Sequence, residues 1–162
     1  MVEGCAIREA TVADVPLIAS LIRELAEYER LLHEVRMTEE GLRETLFGER
    51  RYAEVAIADG PGGEPLGFAL YFHNFSTFLG RPGIYLEDLF VRPRHRGRGI
   101  GRALLRHLAR LAEQRGCRRL EWAVLDWNEA AIGFYRSLGA RPASGWNVYR
   151  LDGVALERLA AS

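Results

Sequence analysis

The sequence contains no lysine: all 22 of its basic residues are arginines, which we attribute mainly to a bias in genomic composition. The absence of lysine excludes the Gly-Lys-Ser/Thr ending of a Walker A phosphate loop. The two cysteines, Cys5 and Cys117, form neither a metal-ligand spacing nor a disulfide framework, so a reducing cytoplasm is the expected location. The four histidines likewise show no metal spacing. His95 and His107 are expected to face solvent or phosphate.

Several other patterns are missing. No apolar run approaches the roughly 20 residues that a membrane span needs. The segment from Met1 to Glu9 lacks the basic-then-apolar pattern of a signal peptide. Neither a Gly-x-Ser-x-Gly elbow nor a paired cysteine–histidine signature is present, so no covalent intermediate is indicated. With 162 residues and 48% hydrophobic content, the chain is expected to form one globular domain over residues 1–162.

The charge is distributed unevenly along a chain whose formal net charge is zero. Residues 92–119 contain ten arginines and one acid, whereas residues 1–91 contain eight arginines and 16 acids. The positive segment includes the run Arg96-Gly97-Arg98-Gly99-Ile100-Gly101, which precedes a helical pattern. A glycine turn at a helix start presents unpaired amides and a positive dipole end, which favours phosphate. Arg102 occupies the position where a dinucleotide fingerprint needs glycine. The acidic remainder suits a cationic second ligand.

Hydrophobic periodicity and turn residues predict the order β-α-α-β-β-β-α-β-α-β. Thr11 is expected to cap the first helix, with Asp14 as its capping-box partner. The expected strands are Ala6–Arg8, Glu54–Ala58, Leu66–Phe72, Ile84–Val91, Leu120–Leu125 and Trp146–Leu151. The first expected helix follows Thr11 and ends at about Tyr28. Three more are expected from Thr38 to Gly48, from Gly99 to about Arg115 and from Glu129 to Leu138. A helical tail is expected at Val154–Leu159. This order predicts an α/β (α+β) fold, with a mixed central sheet flanked by helices on both faces.

Two stretches resemble the acetyl-CoA-binding motif of the GNAT N-acetyltransferase superfamily. The first is Leu86-Glu87-Asp88-Leu89-Phe90-Val91, followed by the glycine run at 96–101. The second extends through Trp127-Asn128-Glu129 and Gly133-Phe134-Tyr135-Arg136 to Gly139-Ala140. Tyr85-Leu86-Glu87-Asp88, together with Asn128 and Phe134-Tyr135, resembles the spermidine/spermine (diamine) acetyltransferase group. The resemblance covers nearly the whole chain and implies the GNAT fold.

The resemblance implies acetyl-CoA as co-substrate, with no metal. The residues implied to hold its diphosphate, chiefly through the backbone amides from Arg98 onward, are Arg96, Gly97, Arg98, Gly99, Ile100, Gly101 and Arg102. The pantetheine arm would pair with the strand at Leu89, Phe90 and Val91, where an amide polarises the thioester carbonyl. Asn128 would hold the arm from the other side. Tyr135, also beside the cofactor, would protonate the leaving thiolate as a general acid.

The resemblance also implies an acceptor site formed by Tyr28, Glu29, Glu87 and Asp88. An alkylammonium of pKa about 10.4 is neutral in only about one molecule in 2,500 at pH 7, and a carboxylate of pKa about 4.3 is a poor direct acceptor for its proton. The catalytic role expected of Glu87 is therefore to attract the cation and order a water relay. The alternative interpretation is that Glu87 is a solvated acid at the edge of the sheet with no catalytic role. Glu87 and Asp88 are neighbours on a strand, so their side chains should point to opposite faces.

Three functions remain open at this point. Where diamine acetyltransferases tend to have an acid-Pro-Trp loop, this chain has Ser76-Thr77-Phe78, so a diamine, thialysine or another basic amino acid competes with a polyamine as acceptor. The second possibility is acetylation of a protein lysine or N-terminus. The third is a nucleic-acid-binding module that uses residues 92–119, although interleaved aromatic residues and a known reader motif are lacking. The resemblance further implies a homodimer, with neither nucleic acid nor membrane as partner.

Overall fold

The computed structural model describes residues 4–162 and divides the chain into two compact units, Met1–Ala123 and Val124–Ser162. Of the segment tested for a signal-peptide pattern, residues 1–3 lie outside the described part. The strands are β1 (Ala6–Glu9), β2 (Glu54–Asp59), β3 (Pro65–Ser76), β4 (Arg81–Val91) and β5 (Leu120–Trp122). The helices are α1 (Val15–Tyr28), α2 (Glu39–Phe47), α3 (Ile100–Gln114), α4 (Glu129–Ser137) and α5 (Gly153–Ala160). Within residues 4–162, no helix combines the length and apolarity needed to cross a membrane.

The five strands form one mixed sheet in the order β1-β2-β3-β4-β5. Neighbouring strands are antiparallel except for β4 and β5, which are parallel. This arrangement confirms the predicted mixed sheet. The ladder between β3 and β4 continues to the pair Ser76 and Arg81, so both strands are longer than the apolar runs suggested. Backbone pairing extends them because ladder hydrogen bonds do not require apolar side chains.

Helices cover both faces of the sheet, as predicted. On one face, α1 and α2 pack against alternate strand residues in a continuous apolar core. The members of this core are Val15, Ile18, Ala19, Leu21, Leu25, Leu42, Leu46, Val55, Ile57, Phe68 and Phe90. The buried side of α3, including Leu104 and Leu108, contacts the sheet separately from this core. Burying one such aliphatic side chain contributes about 1.5–3 kcal/mol, so these two layers hold the first unit together.

A polar contact within the first unit fastens α3 to the sheet. The hydroxyl of Tyr71, a fully buried residue, donates to the Glu9 carboxylate at 3.1 Å. Nε2 of His107 lies 3.2 Å from the same carboxylate. Burial, followed by the nearby Glu9 carboxylate, raises the pKa of Tyr71, so its phenol remains a proton donor. His107 therefore contacts the protein rather than only solvent or phosphate.

The helix starts follow the sequence signals closely. The Thr11 amide donates to the Asp14 carboxylate at 2.7 Å, which completes the expected capping box ahead of α1. The Thr38 hydroxyl accepts from the amide of Gly41 at 3.0 Å and caps α2. These local bonds form between residues three positions apart, so short-range sequence patterns are sufficient to predict them.

The second unit, described by itself, contains α4 and α5, and the α5 prediction is confirmed. The predicted strand at Trp146–Leu151 is wrong. Its apolar alternation suits a strand, but in the described part of the chain this segment pairs with no ladder partner. Its side chains are correspondingly open: Trp146 is 84% exposed and Val148 and Tyr149 are each 94% exposed. β5 is also shorter than predicted and ends at Trp122.

Candidate active site

The glycine turn lies between the end of β4 and the start of α3. Gly97 and Gly99 have φ angles of +73° and +81°, in the left-handed region that glycine adopts without steric cost. Gly99 is the N-cap of α3 and, as a glycine, has no side chain with which to cap the helix. The amide of Ala103 donates to the carbonyl of Gly99 at 2.9 Å. The amides of residues 100–102 therefore precede the helical ladder, and a phosphate group suits them as acceptor.

Two arginines beside the turn are paired with carboxylates. A guanidinium nitrogen of Arg92 lies 2.9 Å from the Glu24 carboxylate, which links the end of β4 to α1. Arg94 lies 2.8 Å from Glu64, just before β3. The positive charge expected in this region from the sequence includes every arginine in it. The two ion pairs show that part of this charge is neutralised by acids of the first unit and fastens residues beside the turn to α1 and to the start of β3.

His95 is buried, so the expectation that it faces solvent or phosphate is wrong. Its side chain is 10% exposed, and Nε2 lies 3.3 Å from the Glu64 carboxylate. Nε of Arg94 is 3.0 Å from Nε2, and a guanidinium nitrogen of Arg98 is 3.4 Å from Nδ1. A short 3-10 turn at Pro93–His95 brings the ring into these contacts. Sequence periodicity contains no signal for a single buried side chain in a turn.

The second half of β4 has one unpaired edge. The parallel ladder with β5 involves only Ile84–Leu86 of β4, and from there to Val91 the strand pairs with β3 alone within residues 4–162. The Arg92 amide donates to β3, so by alternation the peptide groups of Leu89 and Val91 point toward the other edge. On that edge the Val91 carbonyl accepts from Nε of Arg96 at 2.8 Å. The neighbouring amides remain suitable for an extended ligand, as a pantetheine arm requires.

The Asp88 carboxylate in β4 lies within the electrostatic influence of two other carboxylates. Burial, followed by the charges of Glu87 and Glu29, raises the pKa of the half-buried Asp88 to about 7. Burial also raises the pKa of Glu29, which follows directly after α1. The negative charge around Asp88 makes this region favourable for a cation. Among residues 4–162, no group of three or more histidine, cysteine and acidic side chains is arranged to hold a metal ion.

A bulge in β4 changes the argument about Glu87 and Asp88. Leu70 of β3 pairs with Asp88 and the next residue, Tyr71, pairs with Leu86, so Glu87 is an extra residue without a cross-strand partner. The prediction of opposite faces assumed regular alternation, which this irregularity interrupts. Glu87 is exposed, whereas Asp88 is half-buried. The bulge was not predicted, since no glycine or proline marks it in the sequence.

Tyr28, assigned to the acceptor side, contacts an arginine assigned to the diphosphate turn. Cζ of Arg96 lies 4.2 Å from the centroid of the Tyr28 ring and 5.5 Å from that of Phe90. Tyr28 is the last residue of α1 and is 36% exposed, whereas Phe90 is buried. This cation–π contact joins elements 68 residues apart in sequence, so short-range patterns give no indication of it.

Asn128 and Tyr135 belong to the second unit. Asn128 is the N-cap of α4, and its side-chain oxygen accepts from the amide of Ala131 at 3.2 Å. Tyr135 lies on α4, with its ring centroid 5.5 Å from that of Phe134. The carboxamide nitrogen of Asn128 does not take part in this cap, so capping is compatible with a second role for the side chain.

The first unit thus contains the glycine turn, the unpaired strand edge and the acids Glu29, Glu87 and Asp88.

Comparison with known proteins identifies the family to which this arrangement is similar. A family model described as the acetyltransferase (GNAT) family matches residues 18–140. The thialysine N-epsilon-acetyltransferase of Bos taurus is 43% identical over 164 residues, which cover 95% of this chain and 96% of the relative.

Two further similarities extend over nearly the whole chain. The L-ornithine N5-acetyltransferase of Arabidopsis thaliana is 34% identical, over 94% of this chain and 86% of the relative. Among solved structures, an integron cassette protein from the mobile metagenome of V. cholerae superposes with a TM-score of 0.82 at 31% identity. That superposition covers 98% of this chain and 99% of the other.

Proposed function

This chain belongs to the acetyltransferase (GNAT) family, and from that premise we propose that it acetylates the terminal amine of a small basic amino acid. The comparisons confirm three expectations from the sequence: membership of the superfamily, the GNAT fold, and N-acetyltransferase activity on small amines. The proposal concerns the acceptor and the residues that act on it. Thialysine and ornithine, in the names of the two relatives, both carry an amine at the end of a short side chain.

One observation carries the proposal: the carboxylates at Glu87 and Asp88 directly precede the unpaired strand edge at Leu89 to Val91. An ammonium group attracted by the carboxylates would lie beside a thioester aligned along the edge, since strand residues advance about 3.3 Å each. In this proposal the diphosphate of acetyl-CoA binds to the backbone amides of residues 98–102. Gly97 and the side chain of Arg96 lie next to it. Pantetheine follows the strand at Leu89, Phe90 and Val91, and Asn128 is assigned to hold the arm.

The chemical step in this proposal is direct transfer. The neutral amine nitrogen attacks the thioester carbon, the carbon–sulfur bond breaks, and the Tyr135 hydroxyl gives its proton to the departing thiolate. The acylated nitrogen then loses its extra proton, which returns to the Tyr135 phenolate through water. A backbone amide of the strand edge stabilises the oxyanion. Before attack, the ammonium loses a proton through water ordered by Glu87. The pKa of Asp88, raised to about 7, makes this neighbouring carboxylate a better acceptor for the relayed proton than an ordinary aspartate, because it is closer to the amine in basicity.

The wider assembly is also proposed. Both units are inferred to form one catalytic domain, supported by the family match at 18–140, which crosses the boundary between them. A homodimer is supported by the exposed apolar side chains at Trp146, Val148 and Tyr149, which a second copy could bury. A cytoplasmic enzyme is supported by the free thiols of Cys5 and Cys117. Sedimentation equilibrium would test the dimer, and a monomer at micromolar concentration would contradict it.

The test of the function is release of CoA from acetyl-CoA across a panel of acceptors: thialysine, ornithine, lysine, putrescine, spermidine and lysine-containing peptides. The expected result is the highest kcat/KM with the diamino acids. Preference for peptides would instead favour protein acetylation. Turnover with none of them would overturn the proposal. Nucleic-acid binding predicts salt-sensitive retention on DNA that CoA does not relieve, and the pairing of Arg92, Arg94 and Arg115 with acids disfavours it.

A further inference from the structure

The diphosphate turn contains two glycines in left-handed conformations, so its backbone is intrinsically permissive. A site built on such a turn must lose conformational freedom when it binds, which lowers affinity unless other contacts hold it in place beforehand. The residue that enters the turn is Arg96, and its side chain makes the contacts that could provide this order. The question is which groups hold Arg96.

Two different elements hold the Arg96 guanidinium. Its Nε donates to the carbonyl of Val91 at 2.8 Å, which ties it to the end of β4. Its Cζ lies 4.2 Å from the centre of the Tyr28 ring, which ties it to the end of α1. The buried ring of Phe90 lies 5.5 Å away. A guanidinium that both donates a hydrogen bond and lies over the face of an aromatic ring is held at two points, which restricts its position.

We propose that Tyr28 is a positioning residue for acetyl-CoA, holding Arg96 through its ring face so that the diphosphate turn is ordered before the ligand arrives. This inference rests on the proposed function and assigns a cofactor-side effect to a residue that the sequence places on the acceptor side. It also links the two substrates, because Tyr28 directly precedes Glu29. The proposed effect acts through the face of the Tyr28 ring. Tyr28→Phe, which keeps the ring, should therefore preserve the effect, and Tyr28→Leu should not.

The test measures the dissociation constants of CoA and of 3′-phosphoadenosine 5′-diphosphate by titration calorimetry. The second ligand carries the diphosphate and the adenosine 3′-phosphate without pantetheine, so it removes any contribution of the strand edge to binding. An exposed cation–π contact predicts about two- to fivefold weaker binding of both ligands to Tyr28→Leu, and no change for Tyr28→Phe. Tyr52→Leu is the matched control, since Cζ of Arg50 lies 5.0 Å from the centroid of the Tyr52 ring and neither residue belongs to the turn. It should bind both ligands as the wild type does.

A double-mutant cycle separates positioning from a general loss of stability. In the Arg96→Gln background there is no guanidinium to hold, so adding Tyr28→Leu should leave the CoA dissociation constant unchanged. An equal loss in both backgrounds, or a loss for Tyr28→Phe as large as for Tyr28→Leu, would overturn the inference. Normal CoA binding by Tyr28→Leu would also overturn it while leaving the proposed function intact. Failure of the wild type to bind CoA would instead remove the proposed function and the inference together.

Discussion

The Asp88→Asn substitution tests the electrostatics of the acceptor site through protein stability. Burial, followed by the charges of Glu87 and Glu29, raises the pKa of Asp88 in the folded chain to about 7, from the ordinary aspartate value of 3.8. Between these two pH values the folded state holds a proton that the unfolded state has lost. The contribution of this group to the free energy of unfolding is therefore present at low pH and disappears as the pH rises through about 7.

The size of the effect follows from the shift. One pKa unit corresponds to 1.36 kcal/mol, so a shift of about three units corresponds to about 4 kcal/mol over the whole titration. Between pH 5 and pH 8 the linkage relation gives about 2.5 kcal/mol. Asparagine does not titrate. Relative to the wild type, Asp88→Asn should therefore gain about 2.5 kcal/mol in unfolding free energy on going from pH 5 to pH 8.

Urea denaturation of both proteins at pH 5, 6, 7 and 8 measures this difference. Asp14→Asn provides the control, because the Arg8 side-chain hydrogen bond lowers the pKa of Asp14, so this group is ionised in both states throughout the range. Its effect should be a loss of stability that does not vary between pH 5 and 8. A pH-independent effect of Asp88→Asn, or one of opposite slope, would refute the proposed burial and repulsion at Asp88.

Three further substitutions test the proposed site. Gly97→Ala should weaken acetyl-CoA binding by about tenfold, since a Cβ at positive φ costs about 1–2 kcal/mol and distorts the turn. Gly62→Ala is its control, because Gly62 also has a positive φ and open space around it. This control should lose similar stability but bind acetyl-CoA normally. Tyr135→Phe should lower kcat by about 10²–10⁴-fold while the dissociation constant of acetyl-CoA stays constant, and unchanged turnover would remove Tyr135 as the acid. Glu87→Gln should raise the KM for thialysine and displace the pH–rate profile; wild-type values of both would make Glu87 a solvated acid.

Local chemistry made much of the fold predictable. The capping box at Thr11 and Asp14 forms as expected, although it opens the 3-10 turn Val12–Asp14 and Asp14 is the N-cap of α1 itself. Thr38, expected at the start of the second helix, caps that helix. Both features depend on bonds within four residues. The glycine turn was equally readable, because left-handed backbone and a helix start both leave sequence signals. The family resemblance then supplied roles for Asn128 and Tyr135 that composition and spacing alone could not provide.

The wrong predictions concern features that depend on distant partners. Residues 146–151 have the alternation of a strand, yet a strand forms only where another backbone supplies the ladder. The bulge at Glu87 is visible only in the register between β3 and β4. The burial of His95 and the stacking of Arg96 on Tyr28 both require groups far away in sequence. The proposed acceptor site is therefore harder to derive than the turn, because it combines residues at the end of α1 with residues of β4.

The central claim is that the amides at the start of α3 bind the diphosphate of acetyl-CoA. Titration of ¹⁵N-labelled protein with acetyl-CoA, followed by amide NMR, tests it most directly. The expected result is saturable binding in which the largest amide shifts belong to Ile100, Gly101 and Arg102. Saturable shifts elsewhere with these three amides unaffected, or no shifts at millimolar acetyl-CoA, would contradict the claim.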